Sequence, residues 1–219
     1  MQIDLTAPVV LYCERLGPDL WAEPLNALSN IGYFCFAWKL WSESGAVDAR
    51  LTPRLRLLAG LMALVGAASV SFHTVATRWA NVLDVAFIGA FNLTYLVIFL
   101  LEIAQWPRAW AFAAAAGFVV LDRAGAAWLP PGLLNGSGFY LPALATLALL
   151  TTYAWRIAPA AGRMMLGAAL VFLVSLTART VDRSLCEVWP WGAHFVWHLL
   201  TAWVLYQLAR ALRCSRRRR

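Results

Sequence analysis

The sequence predicts an all-α membrane protein, built as a bundle of seven transmembrane helices. Of its 219 residues, 62% are hydrophobic and only 13% are charged, whereas soluble domains average roughly 45–50% apolar and about 25% charged residues. The 12 Trp, 11 Phe and 6 Tyr residues exclude a disordered chain. Seven segments are also apolar over the length that crosses a bilayer, which is about 20 residues. Together these observations exclude a water-soluble globule of this size.

The seven predicted spans follow one another with short connections. They lie near residues 24–42, 55–75, 79–101, 107–127, 139–157, 162–181 and 191–212. Only residues 76–78 separate the second span from the third, which predicts a tight hairpin. The Pro-Pro-Gly at 130–132 and the Asn-Gly-Ser-Gly at 135–138 predict one extended loop before the fifth span. We expect no signal peptide, because acidic residues interrupt the first 20 positions.

The distribution of Lys and Arg predicts the orientation of the bundle. Five of the 18 fall on one side, at Arg15, Arg78, Arg123, Arg179 and Arg183, and the other thirteen fall on the opposite side. Because the richer side is normally cytoplasmic, the N-terminus is expected outside and the C-terminus inside. The net charge of +7 is thus explained by the orientation of the bundle in the membrane. We expect no nucleic-acid partner. We expect one domain over residues 1–213, with 1–23 extracytoplasmic and a basic cytoplasmic tail at 214–219.

All three histidines are predicted at a similar depth below the outer surface. His73 lies near the outer end of span two, and His194 and His198 lie near the outer beginning of span seven. His194 and His198 are four residues apart, so they share one helix face about 6 Å apart along the axis. Three imidazoles at one depth predict an open zinc site with a position for water, although a single membrane histidine is more often a hydrogen-bond partner between helices.

Two further polar residues are predicted near these histidines. Asp84 lies in span three, which the hairpin places beside His73, so it is a candidate partner of a ligand or a proton acceptor. Ser69 lies one turn deeper than His73 on the same face and is a candidate donor to the reacting group. Ser71 is an alternative hydroxyl on another face. The charged residues between spans six and seven are interpreted as a solvated, salt-bridged loop: Arg179, Asp182, Arg183 and Glu187.

The four cysteines fall on different sides of the predicted membrane. Cys13 and Cys186 are both on the outer side, Cys35 lies inside span one, and Cys214 is cytoplasmic. In an oxidising exterior, Cys13 and Cys186 could form a disulfide. Their spacing in the sequence does not show whether the geometry permits it.

Several short motifs resemble those of the alkaline ceramidase family, which belongs to a seven-span hydrolase superfamily that includes the adiponectin-type receptors. The matching runs are Tyr12-Cys13-Glu14, the stretch from Glu23 to Asn30, Ser69 to His73 with Asp84 eleven residues on, Asp182 with Cys186, and His194 to His198. The order and spacing of the motifs match over almost the whole chain.

The resemblance implies a zinc amidase that cleaves ceramide into a sphingoid base and a fatty acid. His73, His194 and His198 would bind zinc. Asp84 would hold and deprotonate the zinc-bound water, and Ser69, preferred over Ser71 on this basis, would polarise the carbonyl or stabilise the oxyanion. The resemblance also implies a disulfide between Cys13 and Cys186, because eukaryotic relatives have one there.

Calcium is the point at which the sequence departs from these relatives. They bind calcium around the Cys13 segment, but here Leu11 stands where Asp is usual and Leu16 where Asn is usual. Glu14 and Glu23 remain as possible calcium ligands. Because calcium needs 6–8 oxygen ligands, a calcium site is doubtful.

Other functions fit the same residues. The protein could be a non-catalytic seven-span receptor with structural zinc, although such sites are usually closed by four protein ligands. Haem-based electron transfer fits less well, because two histidines on one helix face cannot be opposed axial ligands. The substrate could also be another acylated amine or an ester lipid. The composition, rich in Arg, Ala and Leu, suggests a bacterial inner membrane with the site toward the periplasm.

Overall fold

A computed structural model describes residues 4–130 and 132–214. These residues form eight α-helices and two short 3₁₀ helices, and their one β-type contact is an isolated bridge between Pro8 and Thr77. The α-helices are α1 Pro24–Ser29, α2 Ile31–Ser44, α3 Thr52–Val75, α4 Arg78–Glu102, α5 Arg108–Trp128, α6 Leu141–Ile157, α7 Pro159–Leu185 and α8 His194–Ala211. The 3₁₀ helices are Gly138–Tyr140 and Leu212–Cys214. The prediction of an all-helical chain is therefore confirmed for the described residues.

Three helices are long and apolar enough, by length and composition, to cross a membrane. They are α3, α4 and α7. Large apolar side chains also face outward around the bundle, for example Trp110 and Val120 on α5 and Leu170 on α7. An exposed apolar exterior of this kind is typical of a lipid-facing surface.

From α2 onward, consecutive helices pack side by side, and α8 also packs against α2 and closes the bundle. The interior of the bundle is filled by fully buried side chains such as Tyr33 on α2, Met62 on α3 and Phe91 on α4. Helices α2 and α3 approach closely at Gly66, where a Cβ atom would lie 2.9 Å from Cβ of Tyr33. Small residues allow this kind of close approach between membrane helices.

The first predicted span is divided into two helices at Asn30. In an uninterrupted helix the backbone N–H of Asn30 would donate to the carbonyl of Asn26. That carbonyl instead accepts from the side chains of Asn30, at 2.7 Å, and Ser29, at 2.9 Å. Side-chain bonds of this kind compete with the helical ladder. The break directs the Ser29 hydroxyl toward α8.

The hairpin predicted at residues 76–78 connects α3 to α4. Ala76 ends α3 with a left-handed conformation (φ 44°). The N-terminal segment runs along this hairpin, because the backbone N–H of Val9 donates to Ala76 and that of Arg78 donates to Ala7. This pairing carries the following residues, including Tyr12 and Cys13, over the end of α3.

The end of α7 lies further along the chain than the sequence predicts. Helix α7 continues to Leu185, so Arg179, Asp182 and Arg183 are helical, and Arg179 and Asp182 are buried. The interpretation of these residues as a loop is therefore wrong for all three. The expectation that they are solvated is wrong for Arg179 and Asp182, each of which has polar partners inside the bundle. The basic tail, including Arg216–Arg219, lies outside the described residues except for Cys214.

Candidate functional site

His73, His194 and His198 come together at one end of the bundle, and all three are buried. His73 lies in the last turn of α3, and the other two lie in the first turns of α8. One nitrogen from each ring lies within 4.8 Å of the others. Among the described residues this is the one group of three or more His, Cys, Asp or Glu side chains arranged to hold a metal ion.

The hydrogen bonds around His73 and His198 fix the tautomers of the two rings. Nδ1 of His73 lies 2.6 Å from Oε2 of Glu23, which as a carboxylate only accepts, so Nδ1 carries the proton. Nδ1 of His198 lies 2.8 Å from Oγ of Ser29, whose own proton is donated to the carbonyl of Asn26. Nδ1 of His198 is therefore also the donor.

With Nδ1 of each ring engaged in this way, the Nε2 atoms of His73 and His198 are left to face each other, 3.1 Å apart. Two lone pairs at this distance repel unless a cation or a proton lies between them. The third ring, His194, is buried with no hydrogen-bond partner for Nδ1. Neutral imidazole is a common zinc ligand, and ligand histidines usually donate their other N–H to a carboxylate or another acceptor. The donor set of this structure therefore fits a metal held by three histidines.

Glu23 is buried and joins three parts of the site. Its Oε2 accepts from His73, its Oε1 accepts from Nε of Arg15 at 2.5 Å, and Nδ2 of Asn26 donates to it at 3.0 Å. Burial raises the pKa of Glu23, but the hydrogen bonds that it accepts from His73, Arg15 and Asn26 lower it, and the pKa lies below its ordinary value. Glu23 is thus an ionised acceptor for the His73 ring.

Arg15 is a buried guanidinium whose donors are all directed at protein oxygens. Besides Glu23, it donates to the carbonyls of Gly17 and Asp19, at 3.2 and 3.3 Å, and of His73 and Thr74, at 3.0 and 3.2 Å. It therefore ties the N-terminal segment to the end of α3 and orients Glu23.

The possible calcium ligands Glu14 and Glu23 are both occupied by protein donors. The carboxylate of Glu14 accepts the backbone N–H groups of Leu25, at 2.6 Å, and Asn26, at 2.8 Å, and so caps the beginning of α1. Glu23 is engaged by Arg15 and His73 as described. Calcium binding by these two residues stays a prediction.

Asp182 holds the beginning of α8, which carries two of the three histidines. Its Oδ1 accepts the backbone N–H groups of Ala193, at 2.7 Å, and His194, at 2.9 Å, while its Oδ2 accepts that of Cys13, at 3.0 Å. Gly192 has φ +63°, and a Cβ atom there would lie 2.1 Å from Oδ1 of Asp182. Glycine is therefore required at the entry to α8.

A disulfide joins Cys13 to Cys186, which is the pairing that the resemblance implied. Together with Asp182 it fastens the N-terminal segment to the end of α7. Tyr12, the residue before Cys13, stacks on the ring of His194 with centroids 3.5 Å apart. Burial raises the pKa of Tyr12 to about 12, so its hydroxyl is protonated at neutral pH.

Asp84 and Ser69 lie beside the three histidines. Oδ1 of Asp84 is buried and has no hydrogen-bond partner, and the side chain lines a cavity of about 320 Å³. Oγ of Ser69 lies 3.5 Å from Nε2 of His198. Ser71, in contrast, bonds back to the carbonyl of Ala67 and is not buried. Of the two roles expected for Asp84, that of histidine partner is filled at His73 by Glu23, and that of proton acceptor stays a prediction.

The sequence alone did not reveal four residues that build this site. From the sequence, Arg15, Ser29 and Gly192 have no expected role in the metal site, and Glu23 is considered only as a possible calcium ligand. The signal for Glu23 was a carboxylate directly before Pro24, at a helix beginning that faces the end of α3.

Comparison with known proteins gives one match. A family model described as Ceramidase matches residues 12–218. No curated protein and no solved structure matches the chain. The family match spans nearly the whole chain and includes every histidine, carboxylate, hydroxyl and cysteine of the site described above. The chain therefore belongs to the ceramidase family.

Proposed function

We propose that the protein is a zinc-dependent intramembrane lipid amidase that hydrolyses the N-acyl amide of ceramide, or a related N-acyl lipid, to an amine and a fatty acid. Membership of the ceramidase family implies an amide hydrolase. The observation that carries the proposal for zinc is the approach of Nε2 of His73 to Nε2 of His198, 3.1 Å apart, while Nδ1 of each ring is held by another side chain. The buried third imidazole and Oδ1 of Asp84, which has no hydrogen-bond partner, support it.

Zinc is the metal that best suits this donor set. Three imidazoles with a fourth open position are typical of catalytic zinc, whereas structural zinc normally has four protein ligands. When bound by His73, His194 and His198, zinc would lower the pKa of a water toward about 7 and polarise an amide carbonyl.

The chain's own side chains would carry the protons. Asp84, whose Oδ1 has no partner, accepts the proton of the attacking water and passes it to the departing amine nitrogen. The Ser69 hydroxyl donates a hydrogen bond to the carbonyl oxygen as negative charge develops there. Glu23 and Ser29 hold the His73 and His198 rings in the tautomers that present Nε2.

Two cavities that share Tyr140 in their walls suit the two halves of an N-acyl lipid. An apolar cavity of about 70 Å³ lies between α4, α6, α7 and α8, with Trp197 and Leu147 in its wall. Water occupies roughly 30 Å³ per molecule, so this space takes only the beginning of an acyl chain, and the rest would extend between helices toward lipid. Tyr140 lines both this cavity and the polar one beside Asp84.

The membrane arrangement forms part of the proposal. Seven spans with the N-terminus outside would follow from the distribution of Lys and Arg. In a bacterial inner membrane, this would place the metal centre toward the periplasm, where a disulfide persists. Cysteine labelling of single-cysteine variants from each side of the membrane would test this orientation.

The test of the proposed function is hydrolysis of C16 ceramide by the detergent-purified protein. Turnover should stop on metal removal and return with zinc. Asp84→Asn should lower kcat by about 10²–10⁴-fold, as expected for loss of a general base, while zinc content is retained. Asp48→Asn, at an exposed position between α2 and α3, is the matched control.

The same experiment separates the enzyme from a receptor with structural zinc. A protein that holds stoichiometric zinc but releases no fatty acid from any N-acyl lipid would be a receptor, and the amidase proposal would be wrong.

A further inference from the structure

Arg179 is a buried charge held in an aromatic enclosure close to the metal centre. Its side chain on α7 is surrounded by four rings, whose centroids lie 5.2–5.9 Å from the guanidinium carbon: Tyr12, Phe139, Tyr140 and Trp197. Nη1 donates to Oγ of Ser137 at 2.6 Å, and Nη2 donates to the hydroxyl of Tyr12 at 3.2 Å. These contacts fix the guanidinium in place but do not neutralise it.

The guanidinium retains binding capacity. Within residues 4–130 and 132–214, no carboxylate forms a salt bridge with Arg179, and its buried Nε has no hydrogen-bond partner. An unpaired buried charge costs several kcal/mol, as a rule of thumb, so a residue of this kind is normally completed by an anion. Arginine matches carboxylate and phosphate groups with two parallel hydrogen bonds.

An anion bound by Arg179 would lie in the polar cavity beside Asp84. Arg179 lines the 320 Å³ cavity together with Asp84 and with Arg183, which lies four residues further along α7. The amide side chains of Asn81 and Asn135 line it too. The cavity therefore carries two guanidinium groups against one carboxylate, and Asp84 is already used as the proton acceptor of the proposed reaction.

A single side chain, that of Tyr12, connects Arg179 to the metal centre. Tyr12 contacts Arg179 through its hydroxyl and His194 through its ring. One tyrosine side chain thus separates the guanidinium from the histidines. In an N-acyl amino acid, the carboxylate is two bonds from the amide nitrogen, so an amide at the metal centre would direct its carboxylate into this cavity.

We propose that Arg179, assisted by Arg183, binds an anionic group on the amine half of the substrate, so that the protein prefers anionic N-acyl amines to neutral ones. This inference rests on the proposed amidase function. It assigns the polar cavity to an anionic oxygen group, and both a carboxylate and a phosphate have that chemistry.

The test compares two matched pairs of amides. N-palmitoylglycine is compared with neutral N-palmitoylglycinamide, and ceramide 1-phosphate with ceramide. At least one anionic member should be cleaved with kcat/KM ten or more times that of its neutral counterpart, and the pair that shows this preference identifies the anion.

Variants of Arg179 then test whether this residue causes the preference for anionic amides. Arg179→Gln should raise KM for the preferred anionic amide about tenfold or more and change KM for its neutral counterpart less than twofold. Arg179→Lys, which keeps the charge, should retain part of the preference. Arg78→Gln removes an exposed charge near the same end of the bundle and should leave the preference unchanged.

The outcomes are distinct. Equal hydrolysis of both members of each pair would refute the anion site and leave the amidase proposal standing. So would a folded Arg179→Gln protein that loses activity equally on both members. Hydrolysis of none of the four amides would refute the amidase proposal and this one with it.

Discussion

Replacing Glu23 with Gln tests whether this carboxylate holds the metal ligand His73. The side chain keeps its size, but one acceptor oxygen becomes an NH₂ donor. Both oxygens of Glu23 now accept from close donors, Nδ1 of His73 at 2.6 Å and Nε of Arg15 at 2.5 Å. In either orientation of the amide, a donor would therefore face a donor.

The magnitude follows from the two lost interactions. A buried donor left without its acceptor costs about 1–3 kcal/mol, and loss of an acceptor behind a ligand histidine typically lowers metal affinity 10–100-fold. Since a factor of ten corresponds to about 1.4 kcal/mol, the two figures agree. We expect Glu23→Gln to weaken zinc binding by one to two orders of magnitude.

The assay is competition for zinc between the purified protein and a chromophoric chelator at fixed pH. Glu187→Gln, an exposed position after α7, is the matched control and should bind zinc like the wild type. A correctly folded Glu23→Gln protein with zinc affinity within twofold of the wild type would refute the role assigned to Glu23.

Two further substitutions test how the site is built. Ser29→Ala removes the acceptor of the His198 Nδ1 proton and should lower zinc affinity about tenfold. Ser42→Ala, which removes an exposed hydroxyl, should leave zinc affinity unchanged. Equal zinc affinities of the two variants in the same chelator assay would contradict the role of Ser29. Gly192→Ala introduces a Cβ 2.1 Å from a carboxylate oxygen at positive φ and should lower the thermal midpoint and the activity together. Gly167→Ala, where a Cβ meets nothing within 4 Å, should be neutral or stabilising by up to about 1 kcal/mol; a Gly192 variant as stable as the Gly167 variant would contradict the packing described.

The helices and the histidine cluster could be predicted from the sequence because both depend on local patterns. Apolar segments of bilayer length have a recognisable composition, and the separation of His194 from His198 places both on one helix face. The hairpin at residues 76–78 brought Asp84 into the same region as His73. These inferences needed only the order of the spans.

The partners of the histidines could not be predicted in the same way, because they depend on how distant segments pack. Glu23 and His73 are 50 residues apart, and Ser29 and His198 are 169 apart. The N-terminal segment reaches the site only because it pairs with the end of α3 and is fastened to α7. Arg179 and Asp182 were misinterpreted as a loop because charged residues near a span end are usually solvated, and nothing local shows that α7 continues to Leu185.

The most direct test of the account is zinc content measured together with fatty acid release on the same purified protein. The wild type should contain one zinc per chain and hydrolyse an N-acyl lipid, and His198→Ala should lose both zinc and activity. A folded His198→Ala protein that keeps stoichiometric zinc, or that hydrolyses the lipid at the wild-type rate, would contradict the assignment of the three histidines to a catalytic metal.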